Sequence, residues 1–281
     1  QCSKGFMWFG TEDGLDRYNG YEFKVYRNEP ENPNSLSYNY VKAIYEDSAG
    51  VLWVGTYGGG LNKFNREKDQ FTYYKTNSND SNSLSNNFVN SIYEDQSGAL
   101  WIGTEDGLNK FDPRNERFIC YRADPSDPNS LSDNKVTSIY EDRTGVLWVG
   151  TENGLNKLTR GEKKGSLPIF IRYQTDFHNP HTLSSNKVRC IYEDRTGVLW
   201  VGTENGLNRI DREKKQFTRY KHDPSDPASL SSNDIYSIYE ERAGVLWLGT
   251  YGGGLDKFDR EKGEFSHYRH DPHDPTSLSS N

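Results

Sequence analysis

Carboxylates, amides and tyrosines recur at six short glycine turns of this 281-residue chain, at a nearly fixed spacing. The turns carry Glu12-Asp13, Tyr57, Glu105-Asp106, Glu152-Asn153, Glu204-Asn205 and Tyr251. Such a set suits a polar ligand such as a sugar. Acids and amides exchange hydrogen bonds with hydroxyls, and a tyrosine ring gives a flat platform for stacking. Asp, Asn, Glu and Gly also serve as plain turn residues. Tyr57-Gly58-Gly59-Gly60 and Tyr251-Gly252-Gly253-Gly254 stand apart, because the extra glycine widens the loop and no turn geometry demands a tyrosine there.

Other chemistries find less support. The six histidines all lie between His178 and His273, and none falls at a glycine turn. His270-Asp271-Pro272-His273 offers two imidazoles on a turn without a convergent third ligand. The pairs Asp124/Asp127, Asp223/Asp226 and Asp271/Asp274 raise the thought of calcium, but their spacing fits no calcium loop, and Asp-Pro starts turns. Cys2, Cys120 and Cys190 are scattered and form neither a disulfide framework nor a zinc pattern. No nucleophile elbow or phosphate-cradling glycine loop occurs. The expectation is therefore no metal, no cofactor, no catalytic residue and no enzyme.

The net charge of -7 argues against nucleic acid, which needs clustered positive charge. No apolar run approaches the roughly 20 residues that span a bilayer, so no membrane contact is expected of this segment. Aliphatic residues are sparse, but 38 residues are Phe, Trp or Tyr, so the core must be aromatic.

What positions the turns is a repeat. Trp8, Trp53, Trp101, Trp148, Trp200 and Trp247 each open the string W-[VIFL]-G-T, with a Gly-Leu pair a few residues on. A period in the mid-forties with one tryptophan per unit is that of a β-propeller blade. Within 186–233, strands are expected at 188–194, 198–203, 207–211 and 216–220, joined by turn residues, with a Pro- and Asp-rich connector to the next unit. Each fourth strand carries Phe-x-x-Tyr. Residues three apart in a strand point to opposite faces, so each sheet must be buried on both sides. The glycine after each tryptophan is expected to let a neighbouring ring or backbone come close, and the leucine of each Ser-Leu-Ser connector to plug a gap beneath it.

The fold expected is all-β: a β-propeller of six four-stranded blade repeats, near 1–39, 40–87, 88–134, 135–186, 187–233 and 234–281. The first lacks its inner strand, as in a segment of a longer propeller array. The six tryptophans are its structural core, Trp8 the least buried of them. The unpaired second strand at residues 6–10 is an exposed edge that should invite pairing with another chain.

The strings IYEDSAGVLWVGTYGGGLNKFN (44–65) and IYEDRTGVLWVGTENGLNKL (139–158) resemble the two-component regulator propeller repeat. The resemblance spans the whole chain. It implies the periplasmic or extracellular sensor region of a hybrid histidine kinase, with signal transduction as its context. No kinase or transmembrane segment is present here. A non-catalytic ligand-sensing role follows, with a polar small molecule or oligosaccharide as ligand. The alternative is a structural or protein-interaction scaffold that docks further blades or a second propeller. A propeller enzyme like streptogramin lyase would need a histidine base at the glycine turns.

Alternation of strand direction puts the glycine turns and the connectors on one face and the remaining loops on the other. The first set holds 17 acids with few flanking bases, whereas the opposite loops, 160–164 among them, are nearly balanced. This predicts one acidic face and a ligand that is not strongly anionic.

Overall fold

The computed structural model describes residues 2–159 and 168–281. The expectation for the loop at 160–164 lies outside the described residues. Contacts divide the chain into two compact units, Gln1–Ile139 and Tyr140–Asn281.

The first unit holds a three-stranded sheet, β1 (Met7–Thr11), β2 (Gly14–Tyr18) and β3 (Phe23–Tyr26), and two four-stranded ones. These are β4 (Val41–Glu46), β5 (Leu52–Thr56), β6 (Gly60–Asn65) and β7 (Gln70–Tyr74), then β8 (Val89–Glu94), β9 (Leu100–Thr104), β10 (Gly107–Asp112) and β11 (Arg117–Tyr121). Strand β12 (Val136–Glu141) straddles the division and opens a sheet continued by β13 (Leu147–Thr151), β14 (Gly154–Thr159) and β15 (Ile169–Tyr173). The second unit goes on with β16 (Val188–Glu193), β17 (Leu199–Thr203), β18 (Gly206–Asp211) and β19 (Gln216–Tyr220). It ends with β20 (Ile235–Glu240), β21 (Leu246–Thr250), β22 (Gly254–Asp259) and β23 (Glu264–Tyr268). Strands follow chain order within every sheet, and the described residues contain no helix. This is the expected propeller: six blades, the first with three strands. The first strands of neighbouring sheets lie side by side, β4 with β8 and β16 with β20, so the IYE strands are the inner ones.

Packing between sheets follows the two-sided aromatic pattern. Trp53 meets Phe111 of the next sheet edge-on at 5.5 Å, and Trp200 meets Phe258 likewise at 5.6 Å. Tyr74 reaches forward to Phe111 and Phe71 back to Tyr26, so the two ends of Phe-x-x-Tyr do serve opposite faces. Trp53, Trp101, Trp148 and Trp200 are buried. Trp8 is partly exposed as expected, and Trp247 is too, which was not expected.

The glycine after the tryptophan answers to a close approach in the sheets of Gly10, Gly55, Gly103 and Gly202, where a valine or isoleucine of the next inner strand comes against it, with the backbone of that residue also near at Gly10 and Gly202, while Gly249 meets Ser237 of its own sheet. A Cβ on Gly55 would stand 2.5 Å from Val89 Cγ1 of the next inner strand, and one on Gly10 would stand 2.7 Å from Val41. The connector leucines Leu36, Leu84, Leu131, Leu183 and Leu230 are fully buried, as plugs should be. The connectors are pinned by buried amides: Asn208 Oδ1 accepts from Ser184 N, and its Nδ2 donates to the Val201 carbonyl. Asn62 and Asn109 repeat this in their own sheets.

Candidate functional site

Inner strands do not pair regularly at their first residues. The register slips between Val41 and Ala43, Val89 and Ser91, Val188 and Cys190, and Ile235 and Ser237. Each slip is a one-residue bulge, which re-aims the side chain of the extra residue. The bulged residues are Lys42, Asn90, Arg189 and Tyr236. Nothing in the repeat pattern marks these four, because a bulge leaves no periodic signal in so short a strand.

These bulges meet the glycine-turn tips. The tips share a face with the connectors, as expected: Gly107 N donates to Asn134 O, Gly154 N to Asn186 O and Gly206 N to Asn233 O. In the first unit Tyr57 packs against Tyr40 at 5.5 Å and edge-on against Phe88 at 4.5 Å, with the Lys42 ammonium 5.8 Å from its ring centre. Asn90 donates to Glu105, whose carboxylate also holds Lys135 at 3.1 Å. In the second unit Arg189 bonds Asp234 at 3.1 Å, approaches Glu152 at 3.6 Å and lies 5.2 Å over the Tyr236 ring. The Tyr236 ring faces Tyr251 at 5.9 Å. Burial works to lower the Arg189 pKa, but the Asp234 carboxylate outweighs it and holds the guanidinium more firmly charged.

Most of the remaining tip residues are engaged with neighbouring side chains or backbone. Asp13 is paired with Arg27, Asp106 with Arg122 and Glu204 with Lys187. Arg27 lowers the Asp13 pKa by hydrogen bond and charge. Asn153 takes Gln174 on its carbonyl and Asn186 on its side chain, and Asn205 donates to Ser184 O. Glu12 sits beside Asp13 on the exposed tip. Charge on this face is therefore largely paired. Lys135 and Lys187, each one residue ahead of an inner strand, and Arg189 within one bring bases to these acids.

The other candidates resolve into structure. Asp124 Oδ1 accepts from Ser126 N and Oγ, and Asp223 does the same with Ser225, so these carboxylates close their own turns. Among the described residues no three or more His, Cys, Asp or Glu gather as a metal site. The cysteines are unbridged, and burial pushes the Cys190 thiol up to about 12. His267 lies between Asp256 Oδ1 and the Pro227 carbonyl, and His222 contacts Leu230 O, both away from the tips.

The family model described as two component regulator propeller matches residues 35–58, 83–106, 130–153, 182–205 and 229–252. Each match runs from the connector through the inner strand to the glycine turn. Among solved structures, the extracellular domain of a protein assigned as a hybrid two component system from B. thetaiotaomicron is similar over 100% of this chain, with 28% identity and a TM-score of 0.81. This chain spans 35% of that one. A virginiamycin B lyase from Staphylococcus aureus, catalytically inactive and bound to quinupristin, shares 15% identity over 95% of this chain and 81% of its own, with a TM-score of 0.66, and so shares the fold alone. A curated protein named histidine kinase P4, from Formosa agariphila, is 52% identical over 33 residues, 12% of this chain and 2% of its own length.

Proposed function

Since the repeats of this chain belong to the two-component regulator propeller family, we propose that it is the non-catalytic recognition part of a larger signalling protein. In this reading it works outside the cytoplasm and takes a neutral polar ligand such as an oligosaccharide. The observation that carries the reading is the pair of tyrosines on the second unit, Tyr236 and Tyr251, both exposed, with Arg189 and Asp234 beside them. Two rings give stacking area, and a fixed guanidinium and carboxylate give directional hydrogen bonds to hydroxyls. Recognition fits these groups better than catalysis. The tip carboxylates Asp13, Glu105, Asp106, Glu152 and Glu204 are tied to bases, and the histidines lie in fourth strands and connectors. The likeness to a solved extracellular domain over the whole chain supports the location.

A thermal-shift screen of mono- and oligosaccharides tests this. A ligand at 100 times its Kd stabilises the folded state by about 2.7 kcal/mol. The expected shift disappears in Tyr251→Ala and in Arg189→Ala. A ligand whose shift survives both substitutions, or no hit among neutral glycans, would overturn the reading. A scaffold role has its own observation: Met7, Phe9, Phe23 and Val25 leave an exposed apolar face on the first sheet, suited to a further blade.

A further inference from the structure

Four aromatic rings gather at the glycine turn of the second sheet. Tyr57 packs against Tyr40 at 5.5 Å and against Phe88 at 4.5 Å, and the Tyr38 ring lies 3.7 Å from a Cβ built on Gly58. Tyr38, Tyr57 and Phe88 are exposed, and Tyr40 is half-buried. The blade itself does not ask for these rings. The residue just before the inner strand is charged in the fourth, fifth and sixth sheets, where Lys135, Lys187 and Asp234 pair with Glu105, Glu204 and Arg189. In the second and third sheets it is Tyr40 and Phe88. Tyr38 stands where the later connectors carry Asp133, Ser185 and Ser232.

A cation stands beside the rings. Lys42, the bulged residue of β4, is exposed, and its ammonium lies 5.4 Å from the Tyr40 ring centre and 5.8 Å from that of Tyr57. Lys135, Lys187 and Arg189 each meet a carboxylate on this face, whereas among the described residues no acid pairs with Lys42. The reason is local: the turn of its own sheet carries Tyr57 where the third, fourth and fifth sheets carry Glu105, Glu152 and Glu204. Nor do the hydroxyls of Tyr38, Tyr40 and Tyr57 make a hydrogen bond among the described residues. Backbone contacts fix the platform: Tyr57 N donates to Tyr40 O, and Tyr57 bridges to Phe88.

We propose that this tip binds an acidic sugar, a hexuronate residue of a glycan, with its carboxylate on Lys42 and the apolar face of its ring on Tyr57 or Phe88. Exposed aromatic clusters mark interaction sites, and a pyranose ring presents a flat C–H face on which an aromatic ring stacks. An unpaired ammonium calls for a carboxylate, and the free phenol hydroxyls beside it exchange hydrogen bonds with those of the sugar. The bulge is what turns Lys42 toward the rings, as bulges beside binding sites do. A densely sulfated chain fits less well, because Lys42 brings a single charge and the tip of the next sheet carries Glu105 and Asp106. This site lies in the first unit and does not rest on the reading of Tyr236 and Tyr251.

Calorimetric titration of the whole chain with cellobiouronic acid, which carries one glucuronate, and with cellobiose, its neutral counterpart, tests the proposal. The acid should bind about fivefold more tightly at low salt, the gain expected of one charged contact at an exposed site, and the preference should shrink as ionic strength rises. Lys42→Met, which keeps an apolar stem beside the rings, should abolish the preference, and Lys42→Arg should keep it. Phe88→Ala should weaken binding of the acid by removing part of the platform. Tyr251→Ala should leave the preference for the acid unchanged, whatever becomes of a ligand on the second unit. N-acetylglutamate, a carboxylate without a sugar ring, should bind more weakly than the sugar acid. No binding of the acid by the native chain, a preference that survives Lys42→Met or is lost in Tyr251→Ala, or N-acetylglutamate bound as tightly as the sugar acid overturns the proposal.

Discussion

The same indole is held in two ways in this molecule. In the second to fifth sheets the tryptophan N–H donates to the aspartate that opens the preceding turn: Trp53 to Asp47, Trp101 to Asp95, Trp148 to Asp142 and Trp200 to Asp194, all at 2.7–2.9 Å. That aspartate also takes the backbone N–H groups two and four residues on, as Asp194 does from Thr196 and Val198. In the first sheet Cys2 occupies the aspartate's place, with the same turn bond from its N to Phe6 O, and the buried Trp8 Nε1 has no hydrogen-bond partner. The turn therefore forms without the acid. What the acid adds is a tie between turn and core.

The comparison can be broken most directly by removing the indoles. Trp148→Ala should cost about 3–5 kcal/mol by urea denaturation, as expected for emptying a large buried aromatic site. Trp8→Ala, at a partly exposed and half-satisfied site, should cost less than half of that. Equal losses would show that the two sockets do not differ in energy.

Next in size is the acid. Asp95→Ala leaves the Trp101 N–H buried without a partner and uncaps the turn, at a cost of about 2–3 kcal/mol. The same contacts predict a pH dependence. Burial alone would raise Asp95, Asp142 and Asp194, but donors from Ser97, Thr144 and Thr196 and from the indoles outweigh it and hold all three below the usual range. Their folded pKa is depressed, so the stability they give is complete above about pH 4, the ordinary aspartate value, and is lost as pH falls through the folded pKa. Denaturant midpoints measured from pH 6 to pH 2 should decline in that window. The decline should be shallower in Asp95→Asn, which has no charge to lose.

The smallest effect is a gain. Cys2→Asp should supply the missing acceptor for Trp8 Nε1 and a carboxylate for Arg66, adding about 1 kcal/mol. A destabilised variant would mean that the first socket is shaped for sulfur.

Much of the fold was legible because the repeat states it six times. Tryptophan spacing, Gly-Leu pairs and Phe-x-x-Tyr located the strands to within a residue or so, as with 216–220. The candidate site was legible only in part. Tyr57 and Tyr251 were visible as departures from the repeat, but Lys42, Arg189 and Tyr236 were not. Bulged residues look like any other residue of a short strand until pairing shows the slip. Likewise Glu105, Glu152 and Glu204 read as free ligand groups until Lys135, Arg189 and Lys187 proved to be their partners.

By itself the sequence determined the blades: strand order, the two-sided aromatic faces and the glycines that admit the next inner strand. These depend on residues at fixed short offsets, which periodicity records. The tertiary structure alone decided what each identical tip became. Tyr57 and Tyr251 stand in the same Tyr-Gly-Gly-Gly string, yet one is 37% exposed and the other 71%. Tyr57 bridges to Phe88, the residue just before the next inner strand, and that ring covers it. A tip's exposure is set by whatever side chain the adjoining sheet brings against it, some 30 residues away in the chain, and no local pattern encodes that neighbour.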